Sequence, residues 1–170
     1  INLGALSGGP STVVQGASSA NNPTTYVIGA LGLDTLFEGT ISEVATTRKA
    51  NITKIGSGTL TLSGNSTYTG DTTVSEGTLA LKDSALIGST INITVGAGAT
   101  LDVSGLFTPS LFLSFGQTLR GNGTINGSVD SSAGGVVAPG TSIGTLTVTG
   151  TANLLGTTVM EVNRGSVPKA

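Results

Sequence analysis

Cysteine, histidine and tryptophan are absent from the 170 residues, and tyrosine and phenylalanine together number six. Without cysteine there is no disulfide framework and no thiolate metal site. Without histidine there is no Ser–His or Cys–His nucleophilic pair and no histidine metal site. Charge is scarce as well: Asp, Glu, Lys and Arg make up 9% of the chain and sum to −2, against about 25% in ordinary globular domains. Arg48-Lys49 is the only adjacent basic pair. Such a chain offers no basic face to neutralise phosphates, which argues against a nucleic-acid partner. No apolar run approaches the ~20 residues that cross a bilayer, so no membrane insertion by this chain is expected. Long runs of helical period are missing too. The chain opens at Ile1, without an initiator Met or a signal peptide, and is expected to be a piece of a longer precursor.

What fills the sequence instead is Thr (28), Gly (27) and Ser (19). Low charge together with periodic apolar residues is the opposite of a disordered composition. Thr and Val favour strands and Gly supplies turns. The period is clearest between residues 58 and 103. Gly58-Thr-Leu-Thr-Leu62 returns as Gly77-Thr-Leu-Ala-Leu81 and again as Ala99-Thr-Leu-Asp-Val103. Leu60 precedes Leu79 by 19 residues, Leu79 precedes Leu101 by 22, and Val74 precedes Val95 by 21. Each short strand alternates apolar and polar residues, so its Leu and Val face one way. One such coil cannot bury that face, whereas stacked coils can. A repeat near 20 residues built from short strands and tight turns therefore predicts an all-β parallel solenoid, a β-helix, with coils ~4.8 Å apart. A β-sandwich is the alternative, and it would need hairpin pairs in place of stacked repeats.

Residues 1–170 are expected to form a single β-solenoid domain of roughly seven to eight coils. Residues 1–50 read as irregular N-terminal coils, 51–105 as clear repeats and 106–170 as degraded repeats. The expected core ladder is Leu60, Leu62, Val74, Leu79, Leu81, Val95, Leu101, Val103, Leu119, Leu146 and Val148. By letter match, Leu119 and Val137 are counted with the Leu60 type of strand. Lys82–Ser89 is the best candidate for a helical turn, with Asp83 as its cap. Phe107–Phe115, interrupted by Pro109, reads as a bulging connection or an edge strand.

Candidate chemistry is thin. The nine acids are Asp34, Glu38, Glu43, Asp71, Glu76, Asp83, Asp102, Asp130 and Glu161, dispersed along the chain. A polysaccharide-degrading site needs two or three of them together. Scattered solvated acids are the favoured reading, and the chain is not expected to be an enzyme. The calcium-binding nonapeptide repeat is absent, so neither a metal nor any other cofactor is expected. Tyr26 and Tyr68 could stack on sugar, but two isolated aromatics read better as corner packing. The Asn-x-Ser/Thr triplets at Asn51, Asn65, Asn92, Asn122 and Asn126 read as corner residues bonding their own backbone.

Residues 52–81, ITKIGSGTLTLSGNSTYTGDTTVSEGTLAL, closely resemble the autotransporter-associated β-strand repeat of large secreted and surface proteins of bacteria. Residues 121–129 and 136–150 look like the segment that often follows it, and TYVIGALGLDTLFEGTI like the stretch that commonly precedes it. The resemblance implies a right-handed parallel β-helix, export to the bacterial cell surface or exterior, and a passenger-type role with no catalytic residues. On this reading the chain is a structural module. Its tips are open, since no capping helix is legible near Ile1 or Ala170. The expected partner is the chain itself, stacked end to end into a fibre or scaffold through Ile1, Leu3, Val159 and Val162. An adhesin-like passenger segment that binds glycan or a host surface is the alternative.

Overall fold

The computed structural model describes residues 1–16, 23–45, 47–87, 89–140 and 144–160. The chain climbs turn by turn. A first turn holds β1 (Asn2–Leu3) and β2 (Val13–Gln15), and a second holds β3 (Thr24–Ile28), β4 (Thr35–Phe37) and β5 (Thr40–Ser42). The third holds β6 (Ala50–Lys54) and β7 (Thr59–Leu62), and the fourth β8 (Thr72–Val74) and β9 (Thr78–Asp83). The fifth holds β10 (Asn92–Val95), β11 (Thr100–Leu106) and β12 (Ser110–Ser114), and the sixth β13 (Thr118–Gly121), β14 (Thr124–Asn126) and β15 (Ser128–Ala133). The seventh holds β16 (Val136–Pro139), β17 (Thr147–Val148) and β18 (Ala152–Asn153), and β19 (Thr157–Thr158) opens an eighth.

Every strand pairs with the strand one turn above or below, and all these pairings are parallel. The first face is the eight-stranded sheet β1-β3-β6-β8-β10-β13-β16-β19, and the second is the six-stranded sheet β4-β7-β9-β11-β14-β17. The third side comes in two pieces, β2-β5 and β12-β15-β18. The fold is thus an all-β parallel solenoid, consistent with a right-handed β-helix. Six turns carry strands on both main faces. The structure thus has roughly six full turns in place of the expected seven to eight coils; the first and last of the eight strands of the first face belong to incomplete turns.

Period-two alternation decides what points inward. In β6 the burial runs buried, half-buried, buried along Ala50, Asn51 and Ile52, and β7, β9, β10 and β11 alternate in the same way. Stacking then turns each inward position into a column. On the second face the column is Leu60, Leu79, Leu101, Ile125 and Val148. On the first it is Tyr26, Ile52, Thr72, Ile93, Leu119 and Val137. The letter match of Leu119 and Val137 to Leu60 is therefore a misassignment: both lie on the first face, above Ile93. An inserted third strand, β12, lengthens the fifth turn and shifts the repeat by one face. Ile125, two strands later, takes the place on Leu101.

Corners have their own chemistry. Gly77 has φ +63°, and a Cβ there would sit 2.3 Å from the Gly56 carbonyl oxygen directly below. Only glycine combines that backbone conformation with so close an approach. The expected helical turn at Lys82–Ser89 does not form among the described residues. Lys82 and Asp83 instead end β9, and a single turn bond joins the Ala85 N–H to the Lys82 carbonyl at 3.0 Å. Asp83 adopts φ 59°, the left-handed region, rather than the extended geometry of a cap. The Phe107–Phe115 stretch does supply an edge strand: β12 begins just past Pro109 and is outermost in its three-stranded sheet.

Column burial predicts a graded response. Leu101, fully buried between Leu79 and Ile125, should lose about 2–5 kcal/mol on change to alanine. Val148→Ala, on the last strand of the second face and only half-buried, should lose about 1 kcal/mol or less. Urea unfolding followed by far-UV circular dichroism checks both; equal losses would mean that the columns do not act as drawn.

Candidate functional site

The ladder residues Leu60, Leu62, Val74, Leu79, Leu81, Val95, Leu101, Val103 and Leu119 all lie at 2% exposure or less, and Leu146 and Val148 pack half-buried against the same core. At the tips, Ile1 is 63% exposed and Val159 50%, while Leu3 is half-buried. Val162 lies outside the described residues. Leu31, Leu33 and Leu36 add to the bare apolar surface at the N-terminal end, and Leu155 and Met160 at the C-terminal end.

The acids do not converge. Among the described residues no group of three or more His, Cys, Asp or Glu could hold a metal ion. Glu43 acts as a staple: its carboxylate accepts from the Ala50 N–H at 3.0 Å and the Thr69 N–H at 2.7 Å, tying a loop to the turn above. Three other acids each lie beneath an asparagine of the next turn. Asn92 Nδ2 donates to Asp71 at 2.8 Å, and Asn153 Nδ2 donates to Asp130 at 3.2 Å. Asp102 is in register with Asn126 and linked to it through Ser104, whose hydroxyl donates to Asp102 at 2.7 Å. Partial burial pushes the Asp102 carboxyl up, but hydrogen bonds from Ser104 and Asn126 outweigh it and hold the group below the usual carboxylate range. At Asp130 the hydrogen bonds from Ser132, then Asn153, lower the pKa. Asn51 joins the same outer ladder, donating to Thr25 Oγ1 at 3.3 Å and accepting from the Asp71 N–H at 2.9 Å. These asparagines bond neighbouring turns rather than their own backbone.

The polar groups that sequence reasoning missed are inside. Lys54 occupies an inward position between Ile28 and Val74 at 1% exposure. Its ammonium reaches the corner and donates to the carbonyls of Ile55 at 2.9 Å, Gly56 at 2.7 Å and Glu76 at 3.3 Å. Burial lowers its pKa, opposed by the charges of Glu76 and Asp34. At another corner a polar spine climbs three turns. The Tyr68 hydroxyl bonds Thr72 Oγ1 at 2.7 Å, Thr72 bonds Thr90 Oγ1 at 3.1 Å, and Thr90 donates to the Gly70 carbonyl. Gln117 Nε2 then donates to the Thr90 carbonyl at 2.7 Å. All four side chains are buried. The signal was parity: Thr72 lies two residues before Val74, and Lys54 two after Ile52. Tyr26 and Tyr68 are both buried and unavailable for stacking on sugar.

Neutral faces, apolar columns and dispersed acids define a structural repeat protein, a parallel β-solenoid. Residues 52–81 match the passenger-associated-transport-repeat family, so the solenoid bears a repeat of the autotransporter-passenger kind. An extracellular serine protease of Serratia marcescens is 39% identical over 97 residues, which cover 57% of this chain and 7% of that protein. The chain thus corresponds to a small part of this relative's length. No solved structure matches. The repeat supports an extracellular or cell-surface setting in a bacterial secreted protein. The matched residues hold no catalytic constellation, and a Ser–His pair cannot be built from a chain without histidine. No helix among the described residues is long and apolar enough to cross a membrane.

The spine predicts a pH signature. Burial raises the Tyr68 pKa far above its ordinary value near 10. The folded state therefore keeps this proton at pH values where the unfolded chain releases it. The associated stability is complete below pH ~10 and declines as pH rises further. Urea midpoints from pH 8 to 11 should show this alkaline decline in the native protein and less of it in Tyr68→Phe. Thr90→Val, which removes the bridging hydroxyl, should cost about 1–3 kcal/mol at neutral pH.

Proposed function

We propose that this module is a structural rod whose two open tips take up further solenoid coils, and that copies of the chain stack end to end into a fibre or surface scaffold. The carrying observation is the pair of bare ends. Ile1, Leu31 and Leu33 at one tip, and Leu155, Val159 and Met160 at the other, are each at least half exposed. Among the described residues the outermost strands of the first face, β1 and β19, each have one unpaired edge. An exposed strand edge flanked by apolar side chains is a template for another strand. A head-to-tail contact of this kind does not close on itself and grows as a filament. The mechanism is geometric: stacked turns give stiffness, and the uncharged Ser, Thr and Gly exterior stays hydrated.

Light scattering at micromolar concentration, with negative-stain microscopy alongside, tests the reading. Filaments whose axial repeat is about eight rungs of ~4.8 Å are expected. Val159→Lys, a charge placed in the C-terminal tip, should reduce them to monomers while the circular dichroism stays unchanged. A monodisperse native monomer, or assembly unaffected by Val159→Lys, would sink the proposal and leave the lateral faces as the working surface.

A further inference from the structure

A second open edge lies on the flank of the rod, away from both tips. β12 pairs with β15 on one side only. On its other side, where a strand of the fourth turn would lie, the chain forms a turn after β9, and Leu86 bridges back to Asn65 instead of reaching β12. The two turns splay here around a groove of about 340 Å³ lined by Asp83, Leu86, Phe107, Ser110 and Phe112 among others. Three of the four phenylalanines in the chain stand exposed around this edge: Phe107 at 80%, Phe112 at 57% and Phe115 at 89%. The fourth, Phe37, is buried. So strong a concentration of exposed aromatics on an otherwise Ser/Thr-covered surface marks a contact surface.

The groove also carries a charge. Asp83 is its only ionisable lining residue, and among the described residues its carboxylate has no hydrogen bond or ion pair. We propose that the groove receives an extended segment of another protein. Its backbone adds as a strand to the open edge of β12, an aliphatic side chain fills the trough between Leu86 and Phe112, and a Lys or Arg beside it pairs with Asp83. Strand addition would centre on Phe112, because the Ser110 N–H already donates to the Thr108 carbonyl at 2.7 Å and the Ser114 N–H to Gln117 Oε1 at 2.8 Å. The carboxylate and the phenylalanine faces together favour a cation. The described strands of a second copy do not fit as the occupant. Their basic residues, Lys54, Lys82 and Arg120, sit on β6, β9 and β13, and each of these is already paired on both sides.

The probe is a fluorescein-labelled octapeptide alternating threonine and valine, with one arginine at its centre, followed by fluorescence anisotropy. Saturable binding is expected. Asp83→Asn, which tolerates the left-handed backbone, and Phe112→Ser should each weaken it about tenfold or more. A peptide with glutamate in place of arginine should lose a similar factor. Circular dichroism of both variants confirms that the solenoid is intact. Three outcomes overturn the proposal: no saturable binding, binding unchanged in both variants, or a dimer abolished by Phe112→Ser that excludes the peptide.

Discussion

Backbone hydrogen bonds between successive turns impose one vertical spacing, ~4.8 Å, on the whole molecule. Each residue then has its own counterpart above and below at contact distance, and identity along a column matters more than identity along the chain. Apolar columns such as Leu60, Leu79 and Leu101 gain from the repetition. Columns of like charge lose from it, because charges directly opposite in a sheet repel. A chain held to that spacing has few places for charge, in keeping with its 9% content. The same spacing brings a carbonyl of one turn beneath several corners of the next, which is why Gly77 has no room for a side chain.

Most polar side chains that enter the interior are met by the backbone or by one another; among the described residues the buried Asn122 Oδ1 has no partner. Lys54 buries its stem in the first-face stack and delivers its ammonium to three carbonyls at a corner. Tyr68, Thr72, Thr90 and Gln117 form a continuous chain in place of isolated buried hydroxyls. Buried polar groups cost little only when fully bonded. Both arrangements sit at corners, where the strand ladder ends and carbonyls become available. They fasten turns to one another at the points where backbone pairing is weakest.

The face of each clear repeat was legible in the sequence because alternation and period coincide there. From Leu60 to Val103 alternation sets the face of each strand, but Tyr68, Thr72 and Thr90 also turn inward without any apolar signal. Legibility failed where a turn changed length. β12 adds a third strand to the fifth turn, and Leu119, though it looks like Leu60, climbs onto the other face. It failed again where φ rather than side-chain type governs: Asp83 reads as a helix cap and is instead a left-handed corner. The groove beside β12 arises where, among the described residues, the fourth turn places no strand against it. No local motif announces a missing neighbour, although Phe107–Phe115 was already conspicuous as the most apolar stretch.

The three aspartates seated beneath asparagines set a limit on chemical ageing. Asn92, Asn126 and Asn153 each keep a neutral amide over a carboxylate of the turn below. Deamidation of any one would place two carboxylates a single rung apart, a repulsion of about 1–4 kcal/mol between the limits of bulk water and a partly buried surface. At Asn126 the following residue is Gly127, the least hindered neighbour for that reaction. There the amide oxygen accepts from Thr149 at 3.0 Å and the Gly127 N–H donates to the same hydroxyl at 2.9 Å. The column that neutralises the acid thus also restrains the amide and the backbone nitrogen whose encounter would regenerate one.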